Sequence, residues 1–492
     1  MAEESGTQRI YRAPCPGCGA PVEFRSAQST FAVCPYCQST VVRQGETLAR
    51  IGKMAELFDD FSPLQLFAAG RIKDKPFTLV GRLQYAYDGG RWTEWIAQLD
   101  GERTATLSED NGAFVFSLPL ELQRIAPPSG ELRVGATTAI NGNTYTVASN
   151  EQVALVSAQG ELPRLPELGR KFPVVELRND KGLVLSLDYG TNPPTASLGR
   201  SVELDDLKLT GLRDEAAKDE KGRGFACPNC GAPVTVNFAD SKSITCRSCN
   251  SIIDLTNGIG GELKHAEQNE PVRSLIPLGA LGQLQGVQWQ VVGFQHRMGV
   301  EPGDDEHFGW DEYLLYNKKR GFSFLVDATD GWSMVKPATG APKVSEGTKT
   351  ASYLGKTFRQ QYAYNAETTY VAGEFYWNVE RGQKSFNRDY ASGDTLLSME
   401  RSASELTWST GSKVDSATVA SAFKLEGKKD LFKRSDASPV SAASSLGCGT
   451  IILIVVVIII LMIILSTCSS SSGGSRSSGG SYGGYSSGGG HK

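Results

Sequence analysis

An eight-residue stretch that occurs twice, with one substitution, sets the limits on how this chain can fold. Cys15-Pro16-Gly17-Cys18-Gly19-Ala20-Pro21-Val22 returns as Cys227-Pro228-Asn229-Cys230-Gly231-Ala232-Pro233-Val234. Each copy is closed by a second Cys-x-x-Cys, Cys34/Cys37 in the first and Cys246/Cys249 in the second, and every cysteine stands 212 residues from its counterpart. An interval kept to the residue over four cysteines marks a tandem duplication in which each half opens with a pair of metal knuckles.

The spacing Cys15-x2-Cys18-x15-Cys34-x2-Cys37 suits a tetrahedral Zn2+ on four thiolates, with a short hairpin between the knuckles. Pro16 fixes φ in the first knuckle, and Gly19 can take a positive φ that turns backbone N–H groups toward sulfur. A redox pair would need a single Cys-x-x-Cys near a βαβ pattern; here the pairs come two by two. Four-sulfur sites keep no open position for catalysis, so two structural zinc ions are expected. Ribbons of this size lack a core, and metal binding supplies their folding energy. The first ribbon is expected over 10–43 and the second over 225–256.

At 492 residues the chain exceeds one domain and should hold three to five units. Its net charge of −4 counts against a protein whose main task is gripping phosphate backbones. No apolar run follows Met1–Thr7, so no secretory signal is expected, and with eight of the ten cysteines in Cys-x-x-Cys pairs, metal-bound thiolates are expected rather than disulfides.

Leu48, Ile51, Met54, Phe58 and Phe61 recur at helical spacing and predict a short amphipathic helix over 46–62. From Pro63 the period changes to two. Phe77–Tyr87, Trp92–Leu99, Arg103–Leu107, Phe114–Leu118, Thr144–Ala148, Val153–Val156, Val174–Leu177, Leu183–Leu187 and Ser201–Leu204 read as short strands separated by Asp-Gly and Asn-Gly turns. The fold class is mainly β: an antiparallel sandwich or partly closed barrel over 63–211, a charged linker over 212–224, and a second copy over 270–424.

The duplication continues past the cysteines. Gly70 and Gly81 match Gly282 and Gly293; Trp92-Thr93-Glu94-Trp95 matches Trp310-Asp311-Glu312-Tyr313 after an insertion; Gly160-Glu161 matches Gly373-Glu374; Leu185-Ser186-Leu187-Asp188 matches Leu397-Ser398-Met399-Glu400. This order of glycines, Trp-x-Glu-aromatic and Gly-Glu resembles the bacterial family called domain of unknown function 4178, over about 60–210 and 275–425. The resemblance implies a mostly-β domain in bacterial proteins that are often membrane-linked, and implies no catalytic residues. The first copy departs from the pattern after Gly160-Glu161, lacking the tryptophan found at Trp377.

Glu94, Glu161, Glu312 and Glu374 are the carboxylates kept through the duplication. With Trp92, Trp95, Trp310 and Tyr313 they could line an aromatic, acidic pocket for a cation such as a polyamine or a lysine-bearing segment. The alternative is that the aromatics fill the sheet core while the glutamates cap turns or face solvent. The histidines His265, His296, His307 and His491 are not repeated between halves, and no phosphate loop, dinucleotide fingerprint or nucleophile elbow occurs.

Leu446–Cys468 is uncharged and contains fifteen unbroken apolar residues, Ile451–Leu465. As a helix it would measure about 34 Å, enough to span a bilayer once, ahead of a Gly/Ser/Tyr tail over 469–492. A linker over 425–445 is expected to lead into it. Lys424, Lys428, Lys429, Lys433 and Arg434 precede this segment, and the positive-inside rule then places the bulk of the chain in the cytoplasm at a bacterial inner membrane, with the short tail outside. The leading functional expectation is a membrane-anchored binding or scaffold protein holding a protein partner or small cationic ligand, since linked modules gain effective concentration. Nucleic-acid binding through the ribbons, where Arg9, Arg12, Arg25 and Arg43 and then Lys221, Arg223, Lys242 and Arg247 cluster, is the alternative; an enzyme centred on the Trp-x-Glu strands is a third.

Overall fold

The computed structural model describes residues 11–434 apart from 27–28, 45–46, 55–61, 88–89, 100–102, 111, 214–222, 239–240, 257–262, 269–271 and 403–405. Each half is an eight-stranded antiparallel barrel with a cysteine ribbon grown onto one strand.

In the first half, β1 (Tyr11–Pro14) and β2 (Pro21–Phe24) form one ribbon hairpin; β3 (Phe31–Val33), β4 (Ser39–Gln44) and β5 (Thr47–Lys53) form the other sheet. A small strand, β6 (Ala69–Ile72), leads into the barrel. The barrel's first meander is β7 (Lys75–Tyr87), β8 (Gly90–Leu99), β9 (Thr104–Asp110) and β10 (Ala113–Leu120). After the short β11 (Thr137–Ile140), the second meander is β12 (Asn143–Leu162), β13 (Lys171–Arg178), β14 (Leu183–Asp188) and β15 (Thr195–Val202). β10 pairs with β15 and β12 with β7, so the sheet closes on itself. Closure leaves no free edge between the meanders, where a sandwich would leave four. The second half repeats the arrangement, with Val287–Val300 pairing Lys356–Phe375 at closure.

Two of the expected strands, Thr144–Ala148 and Val153–Val156, are one continuous 20-residue strand, β12. Its parts serve different neighbours. Thr146–Ala154 pairs with β13, Leu155–Gly160 with β7, and Gly160–Leu162 with β3 of the ribbon. Ribbon and barrel are therefore one hydrogen-bonded sheet. The crossing explains a pair of glycines that the duplication keeps. A Cβ on Gly81 would sit 1.9 Å from the Glu161 carbonyl oxygen, and Gly160 has φ +75° with its own Cβ position 2.3 Å from the Val80 carbonyl. Only residues without a side chain let β7 and β12 approach where β12 leaves the barrel.

The helix expected over 46–62 is not formed where the structure describes it. Thr47–Lys53 is β5, paired with β4 from Gln44↔Thr47 to Ser39↔Lys53. An i, i+3 apolar pattern this short does not decide between helix and strand, and the unpaired edge of β4 settled it. Met54 ends the strand buried against Val80 and Leu83. The linker expected over 212–224 falls mostly outside the described residues.

The linker expected over 425–445 begins as folded structure. The helices Ser416–Ala422 and Lys429–Phe432 cover the outer face of the second barrel; Phe432 is fully buried on Trp332, whose Nε1–H donates to the Phe432 carbonyl at 2.8 Å. Arg434 pairs with Asp327 and lies over the Trp332 ring at 5.4 Å, and Lys433 pairs with Asp430 at 2.7 Å. The inner-membrane placement needs correcting on this ground. Among the described residues no helix is long and apolar enough to cross a membrane. Arg434 and Lys433, two of the basic residues used to orient a span, are engaged in the folded domain. The expected span 446–468, the tail 469–492, Cys448 and Cys468 lie outside the described residues.

The halves touch each other through polar contacts. Arg320 pairs with Glu203 and Asp205, Lys336 with Glu203 at 2.6 Å, and the Asn179–Asp180 turn accepts backbone hydrogen bonds from Ala341 and Leu354.

Candidate functional site

The eight cysteines assemble as the spacing predicts. Cys15, Cys18, Cys34 and Cys37 place their sulfurs within 4.8 Å of one another, as do Cys227, Cys230, Cys246 and Cys249. The Cys15–Cys37 and Cys18–Cys34 sulfur separations are 3.7 Å, and so are Cys227–Cys249 and Cys230–Cys246. Four sulfurs at the corners of a tetrahedron with metal–sulfur bonds of about 2.3 Å lie about 3.8 Å apart, whereas a disulfide would bring two to about 2.05 Å. The residues fit a tetrathiolate metal centre. Cys15 and Cys34 are buried while Cys18 is exposed, and the second set repeats the pattern. One feature of these centres escapes a search for cysteines alone. The Ser39 hydroxyl lies 3.1 Å from the Cys37 sulfur and brings that thiol down to about 6; Ser251 at 3.3 Å does the same for Cys249. The two serines are also 212 residues apart, which is the signal that could have found them.

The eight residues of the expected aromatic, acidic pocket do not converge on one place. They divide among three. Glu161 and Glu374 stand at the ribbon–barrel junction. Glu161, 3% exposed, accepts from the Arg25 N–H at 2.7 Å and the Ser26 N–H at 2.8 Å. Glu374 accepts from the N–H groups of Asn237 and Phe238 and from the Ser241 hydroxyl. Each carboxylate pins the loop between the two ribbon hairpins to the strand leaving the barrel. Replacing Glu161 by Ala leaves two buried N–H donors without their acceptor and is expected to cost about 2–4 kcal/mol. Amide exchange at Arg25 and Ser26 should rise well above that of the barrel strands; unchanged protection there would contradict the pin.

Trp95 and Tyr313 face outward under covering segments. The Trp95 Nε1–H donates to Glu109 at 3.0 Å, which also accepts from the Ser62 hydroxyl at 2.7 Å, and the Tyr313 hydroxyl accepts from the Leu275 N–H at 3.0 Å.

Trp92, Glu94, Trp310 and Glu312 face the barrel interiors, because alternate residues on a strand share a face. In the second barrel Glu312 is 1% exposed; it accepts from the Trp310 Nε1–H at 2.6 Å and lies 3.6 Å from Arg297. Arg297, also 1% exposed, pairs with Glu400 at 2.9 Å, donates to Ser385 at 2.7 Å and stacks 5.4 Å from Trp310. Burial pushes the Glu312 carboxyl up to about 7 despite the arginine. A folded-state value above the unfolded one means the native barrel holds this proton more tightly. The stabilisation is full below about pH 4.5 and is lost as pH rises toward 7. Glu312→Gln should flatten that part of the stability profile and raise stability at pH 8 by about 2 kcal/mol. Parallel profiles for the two proteins in urea melts from pH 5 to 8 would contradict it.

In the first barrel the carboxylates recur as Glu94 and Asp188, but the arginine has changed strand. Tyr85 occupies the position of Arg297, and Arg164 that of Trp377. Tyr85 stacks on Trp92 at 5.1 Å, and Arg164 pairs with Asp188. The exchange of an aromatic for a cation on one strand is matched by the reverse exchange on another, so both interiors keep two carboxylates and one guanidinium.

The family described as a domain of unknown function, DUF4178, matches residues 68–204 and again 277–416. The chain belongs to that family. The matched segments coincide with the two barrels, and each DUF4178 domain here carries a ribbon on the extension of its fifth barrel strand. No curated protein and no solved structure matches the chain.

Proposed function

We propose that the chain is a binding protein rather than a catalyst, built from two DUF4178 modules that are each held by one structural zinc ion. It binds a small cationic ligand or a lysine-bearing protein segment. The observation that carries this reading is the cavity of about 270 Å³ inside the first barrel, whose wall includes Trp92 and Glu94. These two residues belong to the motif retained in both copies. Arg25 lies over the Phe67 ring at 4.1 Å and Arg43 beside Tyr11 and Phe24, so both guanidinium groups already rest on aromatic rings of the chain itself.

The test is thermal melting of the full chain against a panel of small organic cations, anions and neutral polyols. Binding raises the melting temperature in proportion to the logarithm of ligand concentration above Kd. The cations are expected to do so, and more strongly than the anions or polyols. A melting temperature unmoved by every class at millimolar concentration contradicts the binding reading.

A further inference from the structure

Among the aligned positions at which the two barrel interiors differ, three carry large aromatic side chains only in the second barrel. Thr104, Thr106 and Arg164 in the first barrel correspond to Phe322, Phe324 and Trp377 in the second. The strand registers agree with this alignment: Glu94 faces Ser108 across the ladder, and Glu312 faces Val326. In the second barrel the large side chains form one packed cluster. Trp377 is 1% exposed and lies 5.9 Å from Phe324, with Trp310 and Tyr364 beside them. In the first barrel the same positions border the 270 Å³ cavity. Accessibility follows the same division. The Arg164 and Asp188 side chains are 38% and 20% exposed, whereas Arg297 and Glu400 are 1% and 6%.

We propose that the first barrel's interior is a site for a small organic cation, and that the second barrel is the same site sealed by aromatic side chains. This rests on the binding reading above and adds why one barrel is open to the ligand and the other closed to it. Size sets the first limit: a cavity of about 150 Å³ holds benzene, so this one takes a molecule of roughly ten non-hydrogen atoms. Charge sets the second. The charged residues lining the cavity are Glu94, Arg164 and Asp188, two carboxylates that share one guanidinium, so the lining as a whole carries a formal charge of −1. The stacked Tyr85 and Trp92 rings, with Phe172 edge-on to Tyr85 at 6.3 Å, offer faces that attract a cation and cover its apolar body. The hydroxyls of Thr106, Ser108, Ser117, Ser186 and Ser197 supply hydrogen-bonding groups on the opposite wall.

The experiment titrates the full chain with tyramine and choline, and with 3-(4-hydroxyphenyl)propionate as an anion of similar shape, by isothermal calorimetry. The amines are expected to bind and the carboxylate to bind at least about tenfold more weakly. Glu94→Gln, which keeps the shape of the wall, should weaken amine binding about tenfold or more. The pair Thr106→Phe with Arg164→Trp, which installs the second barrel's residues, should abolish it; Thr106→Phe alone should weaken it, should the pair fail to fold. Amines that do not bind the wild-type chain, or that bind the plugged variants unchanged, overturn the proposal. Amines that bind the plugged variants unchanged overturn this proposal alone and leave the cationic-ligand reading standing; preferential binding of the carboxylate overturns both.

Discussion

Stripping metal from the full chain with a strong chelator should unfold both ribbons while leaving the barrels folded. The first ribbon's core consists of Cys15, Val22, Phe24, Ala32, Cys34 and Val41, so two of its six buried members belong to the four-cysteine cluster that could hold a metal. The second repeats this with Cys227 and Cys246. So small a cluster cannot offset the entropy of ordering some thirty residues. A structural zinc ion contributes about 10–16 kcal/mol, as much as the whole stability of an ordinary domain. The barrels have their own cores, Leu83, Trp92, Val153 and Phe172 in one and Trp310, Phe324, Tyr364 and Trp377 in the other. Hydrogen exchange in the apo chain should therefore show Phe31–Val33 and Ser243–Thr245 unprotected, β12 frayed at Gly160–Leu162 where its ribbon partner is lost, and β7–β10 still protected. Ribbons that stay protected without metal would contradict this.

Arg297→Met is the substitution expected to do most damage within a barrel. It leaves Glu312 and Glu400 in a dry interior without their shared countercharge. Removing one member of a buried ion pair typically costs about 3–5 kcal/mol, because the charge left behind has neither water nor partner. For a domain of this size the melting temperature should fall by roughly 10 °C. The loss should shrink at acidic pH, where the carboxyls take up protons. The triple replacement Arg297→Met, Glu312→Gln, Glu400→Gln should recover most of the stability, since a neutral interior has no charge to compensate. A variant Arg297→Met that melts within a degree of the parent would show that the interior is wetter than its burial indicates.

The corresponding change in the first barrel, Arg164→Met, should be milder. Its partner Asp188 retains some solvent and accepts from the Gly190 N–H at 2.7 Å.

Much of the architecture was legible because it is written in residues whose chemistry allows few alternatives. Eight cysteines at a fixed interval specify two four-cysteine clusters able to hold a metal, and alternation around Trp92 and Trp310 specifies strands. The closed barrel was not legible, because closure depends on which strands pair at the ends of the sheet, and β10 meets β15 across some eighty residues of sequence. The length of β12 was hidden as well: Asn150 and Glu151 are polar in the middle of the stretch that pairs with β13, and that polarity reads as a turn. Leu48 and Ile51 misled in the opposite sense, suggesting a helix where an unpaired strand edge was available.

The glutamates show the limit most clearly. Retention through the duplication singled out Glu94, Glu161, Glu312 and Glu374, but it could not separate a pin from a pocket wall. Glu161 and Glu374 are kept because each holds backbone N–H groups of the ribbon loop, and Glu94 and Glu312 because each faces a barrel interior. The displaced arginine was visible only as two unrelated mismatches, Tyr85 against Arg297 and Arg164 against Trp377. Strand pairing is what brings those positions into one interior.

The most direct measurement is X-ray absorption at the zinc edge of the purified full chain, combined with its metal content. Two zinc ions per chain, each with four sulfur neighbours at about 2.3 Å, is the result expected from two sets of cysteines with 3.7 Å sulfur separations. A chain carrying no zinc, or cysteines recovered as disulfides, would contradict the account at its root.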